Sequence, residues 1–144
     1  MKTLLITASL LGALWLPGTA SAQAPARSPA TVTAFETLSH GNFKNVALYR
    51  PQGEAKSFVL FLSGDAGWTP ALGAQAQALA ARGALVAGIH TPHLLAALTK
   101  SGGDCLLPDG DLENLSHFLQ GYARLPGYFV PLLVGEGLGG TVNI

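Results

Sequence analysis

The chain has 144 residues, of which 49% are hydrophobic and 11% are charged, and its 8 basic residues equal its 8 acidic ones. This balance argues against a protein that binds nucleic acid or anionic lipid through a broad positive surface, so any such partner would need a local site. The single cysteine excludes an internal disulfide, and the fold must therefore be held by its hydrophobic core.

The first 22 residues have the pattern of a secretory signal peptide. Lys2 precedes an uncharged apolar run from Leu4 to Leu16, and Ala20-Ser21-Ala22 forms an A-x-A cleavage site. The run is about 13 residues long, shorter than the roughly 20 that cross a bilayer, so cleavage is favoured over a retained membrane anchor. We predict an exported protein with a flexible Pro/Ala-rich lead-in at residues 23–30 and one domain over residues 31–144.

The first predicted elements of this domain are strands. β-Branched and aromatic residues at 31–38 and 43–49, on either side of His40-Gly41-Asn42, predict an antiparallel pair joined by a turn. Residues 57–62 form a continuous apolar run, which is typical of a strand buried on both faces.

Helices and strands then alternate. Thr69 and Pro70 offer an N-cap and a proline at the first helical position, which predicts a helix over residues 71–82 that ends at Gly83. The later predictions are a buried strand at 84–89, a short helix at 93–99, an amphipathic helix at 112–124 with Asp111 as N-cap and Pro126-Gly127 as its end, and a buried strand at 128–134.

This order indicates an α/β fold with a mostly parallel sheet, helices on its faces and an antiparallel N-terminal strand pair. Ligand sites on such sheets form at the carboxyl ends of the strands. Two glycine-rich loops occupy that position, namely Gly64–Trp68 after the third predicted strand and Gly135–Gly140 after the fifth.

Residues 133–141 read LVGEGLGGT, which fits two motifs. Gly135, Gly137 and Gly140 match the dinucleotide fingerprint G-x-G-x-x-G, but that motif belongs to the first strand–helix unit and needs an acidic residue about 20 positions later. The nucleophile elbow G-x-S-x-G, by contrast, follows the fifth strand of α/β-hydrolases, and the loop after their third strand supplies an oxyanion donor. The order of elements therefore favours an elbow in which Gly137 replaces the serine.

Two polar candidates have a chemical and a structural interpretation. Ser63 ends a buried strand without an evident general base nearby, so we expect a serine bonded to backbone rather than a nucleophile. His90 and His93 could ligate a metal with Asp104, Asp109 or Asp111, but Pro92 makes their segment a turn and the aspartates fall in loop and cap positions.

Three further residues also allow two interpretations. Cys105 has no evident cationic neighbour that would lower its thiol pKa, which favours packing or passive exposure over reactivity. Trp68 could overhang a ligand in the crevice or anchor the following helix, and the anchoring role is favoured. His117 is expected to be solvated on the polar side of its helix.

Four segments carry a family resemblance. Residues 61–68 (FLSGDAGW), 82–89 (RGALVAGI), 105–120 (CLLPDGDLENLSHFLQ) and 131–139 (PLLVGEGLG) resemble, in order and spacing, the VirJ/AcvB family of bacterial virulence proteins. The most specific parts are the Gly-Asp-x-Gly-Trp loop and the cysteine followed by Asp-Leu-Glu-Asn-Leu-Ser. The signal peptide and the absent elbow serine make the chain most similar to the first of the two domains of AcvB-type proteins.

The resemblance implies a periplasmic α/β-hydrolase fold, hydrolysis of the aminoacylated phospholipid lysyl-phosphatidylglycerol, and an association with virulence and type IV secretion. This sequence departs from the family pattern because Gly137 stands in place of the serine and Ala66 replaces a glycine. The family's aspartate and histidine would follow Ile144.

We therefore expect an incomplete, truncated three-layer sandwich of the α/β-hydrolase type. It would be a pseudo-enzyme without cofactor or metal, poorly soluble when expressed alone, and would bind at most a lipid head group or a periplasmic secretion component. The alternative is a periplasmic protein-interaction module, linked to type IV secretion, with no ligand. The expected ligand-binding residues are Gly64, Asp65, Ala66, Gly67, Trp68, Gly135, Glu136, Gly137, Leu138 and Gly139.

Overall fold

In a computed structural model, residues 35–101 and 108–141 are described, and they form five strands and four helices. The predicted signal peptide and lead-in, Asp104 and Cys105 lie outside these residues. In chain order the elements are β1 (Glu36–His40), β2 (Phe43–Tyr49), β3 (Ser57–Leu62), α1 (Pro70–Ala81), β4 (Ala84–Ile89), α2 (Thr91–Ser101), α3 (Asp109–Tyr122), β5 (Leu132–Gly135) and α4 (Leu138–Thr141).

The strands form one mixed sheet in the order β1-β2-β4-β3-β5. β2 runs antiparallel to both of its neighbours, whereas β3 is parallel to β4 and to β5. The predicted α/β class, with an antiparallel N-terminal pair leading into parallel strands, is confirmed. Because β3 lies between β4 and β5, the loops after these three strands emerge at the same edge of the sheet.

Hydrophobic side chains cover both faces of the sheet because neighbouring residues of a strand point in opposite directions. In β3, Phe58, Leu60 and Leu62 pack with α2 and α3 on one face, while Val59 and Phe61 pack under α1 on the other. The face of α1 toward the sheet includes Leu72, Gly73, Ala76 and Ala80, and its glycine and two alanines let the helix lie close. Helices thus flank the sheet on both sides.

Helix α1 has the two ends that its sequence predicts. The hydroxyl Oγ1 of Thr69 accepts a hydrogen bond from the N–H of Leu72 at 3.3 Å, and Pro70 is the first helical residue. After the helix, Gly83 adopts a φ of +98°, which a residue with a Cβ adopts only at a cost. Together these residues confine the helix to Pro70–Ala81.

The β1–β2 hairpin contains the predicted turn. Gly41, with a φ of +54°, follows His40, and His40 pairs with Phe43. Asn45 also has a φ of +54°, and its N–H donates to the hydroxyl of Ser39 at 3.1 Å. The left-handed residue coincides with an irregularity in the pairing of the strands, a place where asparagine is tolerated better than most residues.

Two details of α3 differ from the prediction. The helix begins at Asp109, with Pro108 as N-cap, so Asp111 lies in its first turn; the Asp111 carboxylate accepts from the side-chain amide of Asn42 at 3.3 Å. Two backbone bonds close the other end, Arg124 N–H to Gly121 O at 3.0 Å and Leu125 N–H to Gln120 O at 3.1 Å.

These two bonds form a Schellman motif, with Arg124 at the left-handed position that glycine usually occupies. Its φ is +56°. The helix therefore ends at Tyr122, before the predicted end at Pro126-Gly127. The left-handed residue that ends it is an arginine, so no glycine or proline marks this position in the sequence.

The prediction of a buried strand over residues 128–134 is wrong. β5 is confined to Leu132–Gly135, and Leu132, Leu133 and Val134 are 57%, 44% and 37% exposed. The physical reason is position, because β5 is the edge strand of the described sheet and only β3 flanks it. Helix α2 is longer than the predicted helix at 93–99. It begins at Thr91, because the carbonyl of His90 accepts hydrogen bonds from the N–H groups of His93 and Leu94.

Candidate functional site

The loop after β3 starts from a serine that joins two strands. Ser63 is fully buried; its N–H donates to the carbonyl of Ile89 at 3.0 Å, and its Oγ accepts from the N–H of Thr91 at 3.0 Å. The same hydroxyl donates to the carbonyl of Gly64 at 3.3 Å. The prediction that Ser63 is bonded to backbone is confirmed, and its position fixes the start of the loop against the end of β4.

The turn after β5 is too tight for side chains at two of its glycines. A Cβ on Gly135 would overlap the backbone of Gly139 and Gly140, and a Cβ on Gly139 would lie 2.5 Å from the carbonyl oxygen of Leu62. The N–H of Glu136 donates to that same Leu62 oxygen at 3.1 Å, so the turn is held against the end of β3.

Gly137 stands at the apex of this turn with a φ of +52°. Among the described residues, a Cβ there would meet only Gly64, whose Cα would be 3.8 Å away. Gly64 in turn approaches the second loop closely, because its own Cβ would lie 3.3 Å from the carbonyl oxygen of Glu136. The two predicted loops therefore meet at Gly64, Glu136 and Gly137.

Charged and polar groups surround this meeting point. The side chains of Asp65 and Glu136 are exposed, and neither forms an ion pair with a described residue. The backbone N–H groups of Asp65, Ala66 and Leu138 likewise make no hydrogen bond to the described part of the chain. The surface around this meeting point, called the crevice below, thus carries exposed carboxylates and N–H groups without a partner among the described residues.

His90 packs beside the loop after β3, a contact that sequence reasoning missed. Gly67 has a φ of +74°, and the His90 imidazole fills the space where a Cβ on Gly67 would lie. The signal in the sequence was the glycine before Trp68, but its partner follows a different strand. Only the tertiary arrangement shows why residue 67 has no side chain.

The contacts of Trp68 fit the anchoring interpretation. Its indole occupies the space above Gly88 in β4, meets the ring of Phe61 edge-on at 5.5 Å between centroids, and donates from Nε1 to the hydroxyl of Tyr49 at 3.1 Å. These partners belong to the core between α1 and the sheet or border it. Trp68 therefore holds the loop after β3 onto that core.

The two histidines of the candidate metal site stack face to face. The ring centroids of His90 and His93 are 3.7 Å apart with 15° between their planes, and the N–H of His93 approaches Nδ1 of His90 at 3.4 Å. Partial burial, and next the charge of His93, lower the pKa of His90 below its usual value of 6.5. Within residues 35–101 and 108–141, no group of three or more His, Cys, Asp or Glu side chains is placed to hold a metal.

No known protein family, curated protein or solved structure matches the chain. None of the helices within the described residues is long and apolar enough to cross a membrane. The geometry of the site itself is therefore what a functional proposal has to rest on. That geometry consists of two loops in contact, two exposed carboxylates, backbone N–H groups without a partner among the described residues, and no side chain at the apex of the turn after β5.

Proposed function

We propose that this crevice binds the head group of an aminoacylated phospholipid and does not hydrolyse it. The observation that carries the proposal is the meeting of the loops after β3 and β5 at Gly64, Glu136 and Gly137. In an α/β-hydrolase these two loops carry an oxyanion donor and the nucleophile elbow. Their adjacency, and the left-handed Gly137 between glycines that cannot carry side chains, support assigning the chain to a fold of that type.

The charges of the crevice match the aminoacyl part of such a ligand. A lysyl ester of phosphatidylglycerol carries ammonium groups, and the exposed carboxylates of Asp65 and Glu136 have no ion-pair partner among the described residues. The unpaired N–H groups of Asp65, Ala66 and Leu138 can donate to an ester carbonyl or a phosphate oxygen. Cation and acceptor would thus meet opposite groups in one crevice.

Catalysis is not part of the proposal because the apex of the turn has no nucleophile. Covalent catalysis in hydrolases of this type needs a hydroxyl at the position of Gly137 and a base that activates it. Ser63 cannot substitute, since it is fully buried and its Oγ is committed to the backbone of Gly64 and Thr91. We likewise propose that the chain is a periplasmic pseudo-enzyme of the VirJ/AcvB type.

Binding can be measured by co-sedimentation of the full chain with vesicles of phosphatidylcholine that contain lysyl-phosphatidylglycerol or unmodified phosphatidylglycerol. We expect binding that requires the lysyl group, and a weakening of about two- to fivefold for each of Asp65→Asn and Glu136→Gln, the range for exposed ion pairs. Glu113→Gln is the matched control, because this exposed carboxylate lies on α3 beside the β1–β2 hairpin, across the sheet from β5.

Two results would contradict the proposal. Equal binding to vesicles with and without the lysyl group would remove the role of the carboxylates, and release of free lysine during the incubation would show that the chain is a hydrolase. Trp68 is unsuitable for this test, since its indole packs on Gly88 and Phe61 and its replacement would disturb the core.

The second candidate is a protein-interaction module, and the edge strand favours it. Val130, Leu132 and Leu133 are 80%, 57% and 44% exposed, and the outer edge of β5 pairs with no described strand. Exposed apolar edges of this kind accept an extended segment of another protein. A periplasmic partner captured by cross-linking at position 133, with no lipid binding in the vesicle assay, would favour this candidate.

A further inference from the structure

A second concavity lies at the opposite edge of the sheet, where β3 and β4 begin. Its volume is about 470 Å³, and its lining joins the loop between β2 and β3 to the turn that follows α3. Leu85 is the fully buried apolar residue of the lining, while Ala55 and Leu125 are partly buried against the core. This volume falls in the range of small-molecule sites, and the apolar residues suit the body of an organic ligand.

One guanidinium of the lining is held in place by its own contacts. Nε of Arg50 donates to Oε1 of Glu36 at 2.6 Å, and the hydroxyl of Tyr122 donates to Oε2 of the same carboxylate at 2.9 Å. The guanidinium carbon of Arg50 lies 5.5 Å from the centroid of the Tyr122 ring. No hydrogen bond from the terminal nitrogens of Arg50 to a described residue exists, so these donors remain available for a ligand.

The second guanidinium of the lining comes from an unusual backbone position. Arg124 occupies the left-handed position of the Schellman motif with a φ of +56°, where glycine would avoid strain. Its side chain forms no ion pair with any residue in 35–101 or 108–141. Residues held in rare backbone conformations are often found at functional sites, and here the strained residue also supplies a charge to a cavity.

We propose that this cavity binds a small amphipathic monocarboxylate, with its apolar body against Leu85 and Leu125 and its carboxylate between Arg50 and Arg124. Arginine suits a carboxylate because its planar donors can bond both oxygens. Glu54 is the acidic residue of the lining, so a single negative charge is accommodated better than two or three. The site is separate from the crevice formed by the loops after β3 and β5 and does not depend on its function.

The test is a titration of the isotopically labelled full chain with 4-phenylbutyrate, followed by two-dimensional NMR. We expect saturable shifts of the amide signals of Leu85, Arg124 and Leu125. Arg124→Asn should weaken binding by at least about tenfold, because it removes a charge-assisted hydrogen bond while asparagine tolerates a positive φ. Arg82→Asn is the matched control, since Arg82 is exposed at the end of α1 and should leave the affinity unchanged.

A ligand comparison on the unaltered protein keeps the proposal testable if a variant folds poorly. The neutral analogue 4-phenylbutyramide should bind at least about tenfold more weakly than the carboxylate, because it cannot form the charged bonds to the arginines. The absence of saturable shifts at these amides up to millimolar ligand, equal affinities for acid and amide, or an unchanged affinity in a folded Arg124→Asn variant would each overturn the proposal.

Discussion

The packing of the turn after β5 predicts opposite effects for two adjacent glycines. A Cβ at Gly139 would lie 2.5 Å and 2.6 Å from the carbonyl oxygens of Leu62 and Ser63, whereas the closest atom to a Cβ at Gly140 would be an oxygen 3.6 Å away. Both residues lie in α4, so replacement by alanine gives each the same gain in helix propensity. The pair therefore isolates the cost of the contact with β3.

The expected magnitudes follow from overpacking against backbone, which cannot move cheaply. We expect Gly139→Ala to lower the free energy of unfolding by about 1–3 kcal/mol, the usual range for an added buried methyl group without space. Gly140→Ala should leave it unchanged or raise it by up to about 1 kcal/mol, because its methyl group meets only ordinary contacts. Urea unfolding followed by circular dichroism measures both values.

Hydrogen exchange distinguishes local detachment of the turn after β5 from a loss of global stability. If Gly139→Ala only detaches the turn from β3, the amide of Glu136 loses its bond to the Leu62 carbonyl and exchanges faster, by about tenfold for each 1.4 kcal/mol. Equal urea stabilities for the two variants, together with equal exchange rates at Glu136, would refute the tight packing of this turn and with it the shape of the crevice.

Three further predictions test other parts of the structure. Thr69→Ala should lower the free energy of unfolding, measured by thermal unfolding, by about 0.5–2 kcal/mol, because the Thr69 hydroxyl caps α1 at Leu72. Thr99→Ala on the exposed side of α2 is the control and should leave the stability unchanged. His93→Gln should raise the pKa of His90 in an NMR titration, and His117→Gln should not. The pKa of His90 is lower in the folded protein than in the unfolded chain, so its contribution to the free energy of unfolding is fully present above pH 6.5 and is lost as the pH falls through the folded pKa. A free energy of unfolding that rose as the pH fell through this range would contradict the prediction. Leu133→Lys should reduce self-association in light scattering, because it places a charge on the exposed edge strand, and Ala74→Lys on the exposed side of α1 should have no comparable effect.

Local signals in the sequence were sufficient for the elements whose ends are chemically marked. The ends of α1 follow from Thr69, Pro70 and Gly83, and the apolar runs of β3 and β4 have the predicted bounds exactly because turn residues flank them. The end of α3 could not be predicted, since Arg124 adopts a conformation typical of glycine. Nothing in its residue type announces the stop.

The burial of a strand and the contacts between distant loops depend on tertiary neighbours, which the hydrophobic periodicity of the sequence does not specify. The apolar run that contains Leu132–Gly135 resembles that of β3, yet its residues are exposed because β5 lies at the edge of the described sheet. The glycine motif indicated a tight turn, but the role of Gly67 became clear only from the imidazole of His90 beside it. Sequence reasoning thus located both loops of the candidate site and missed the packing of His90 against the loop after β3.

The two candidate functions depend on different residues of β5 and the turn after it, so point mutations can separate them. Glu136 follows β5 and is fixed through its N–H to the end of β3, whereas Leu133 lies within the strand and its pairing with β3 leaves the outer edge open. Leu133→Lys should therefore abolish partner capture at the edge and leave vesicle binding within about twofold, and Glu136→Gln should do the reverse, because effects at sites without shared partners add independently. Loss of both activities in a folded Leu133→Lys variant would show that the edge and the crevice are coupled, either through displacement of β5 and its turn or through repulsion between the new lysine and the ammonium groups of the ligand.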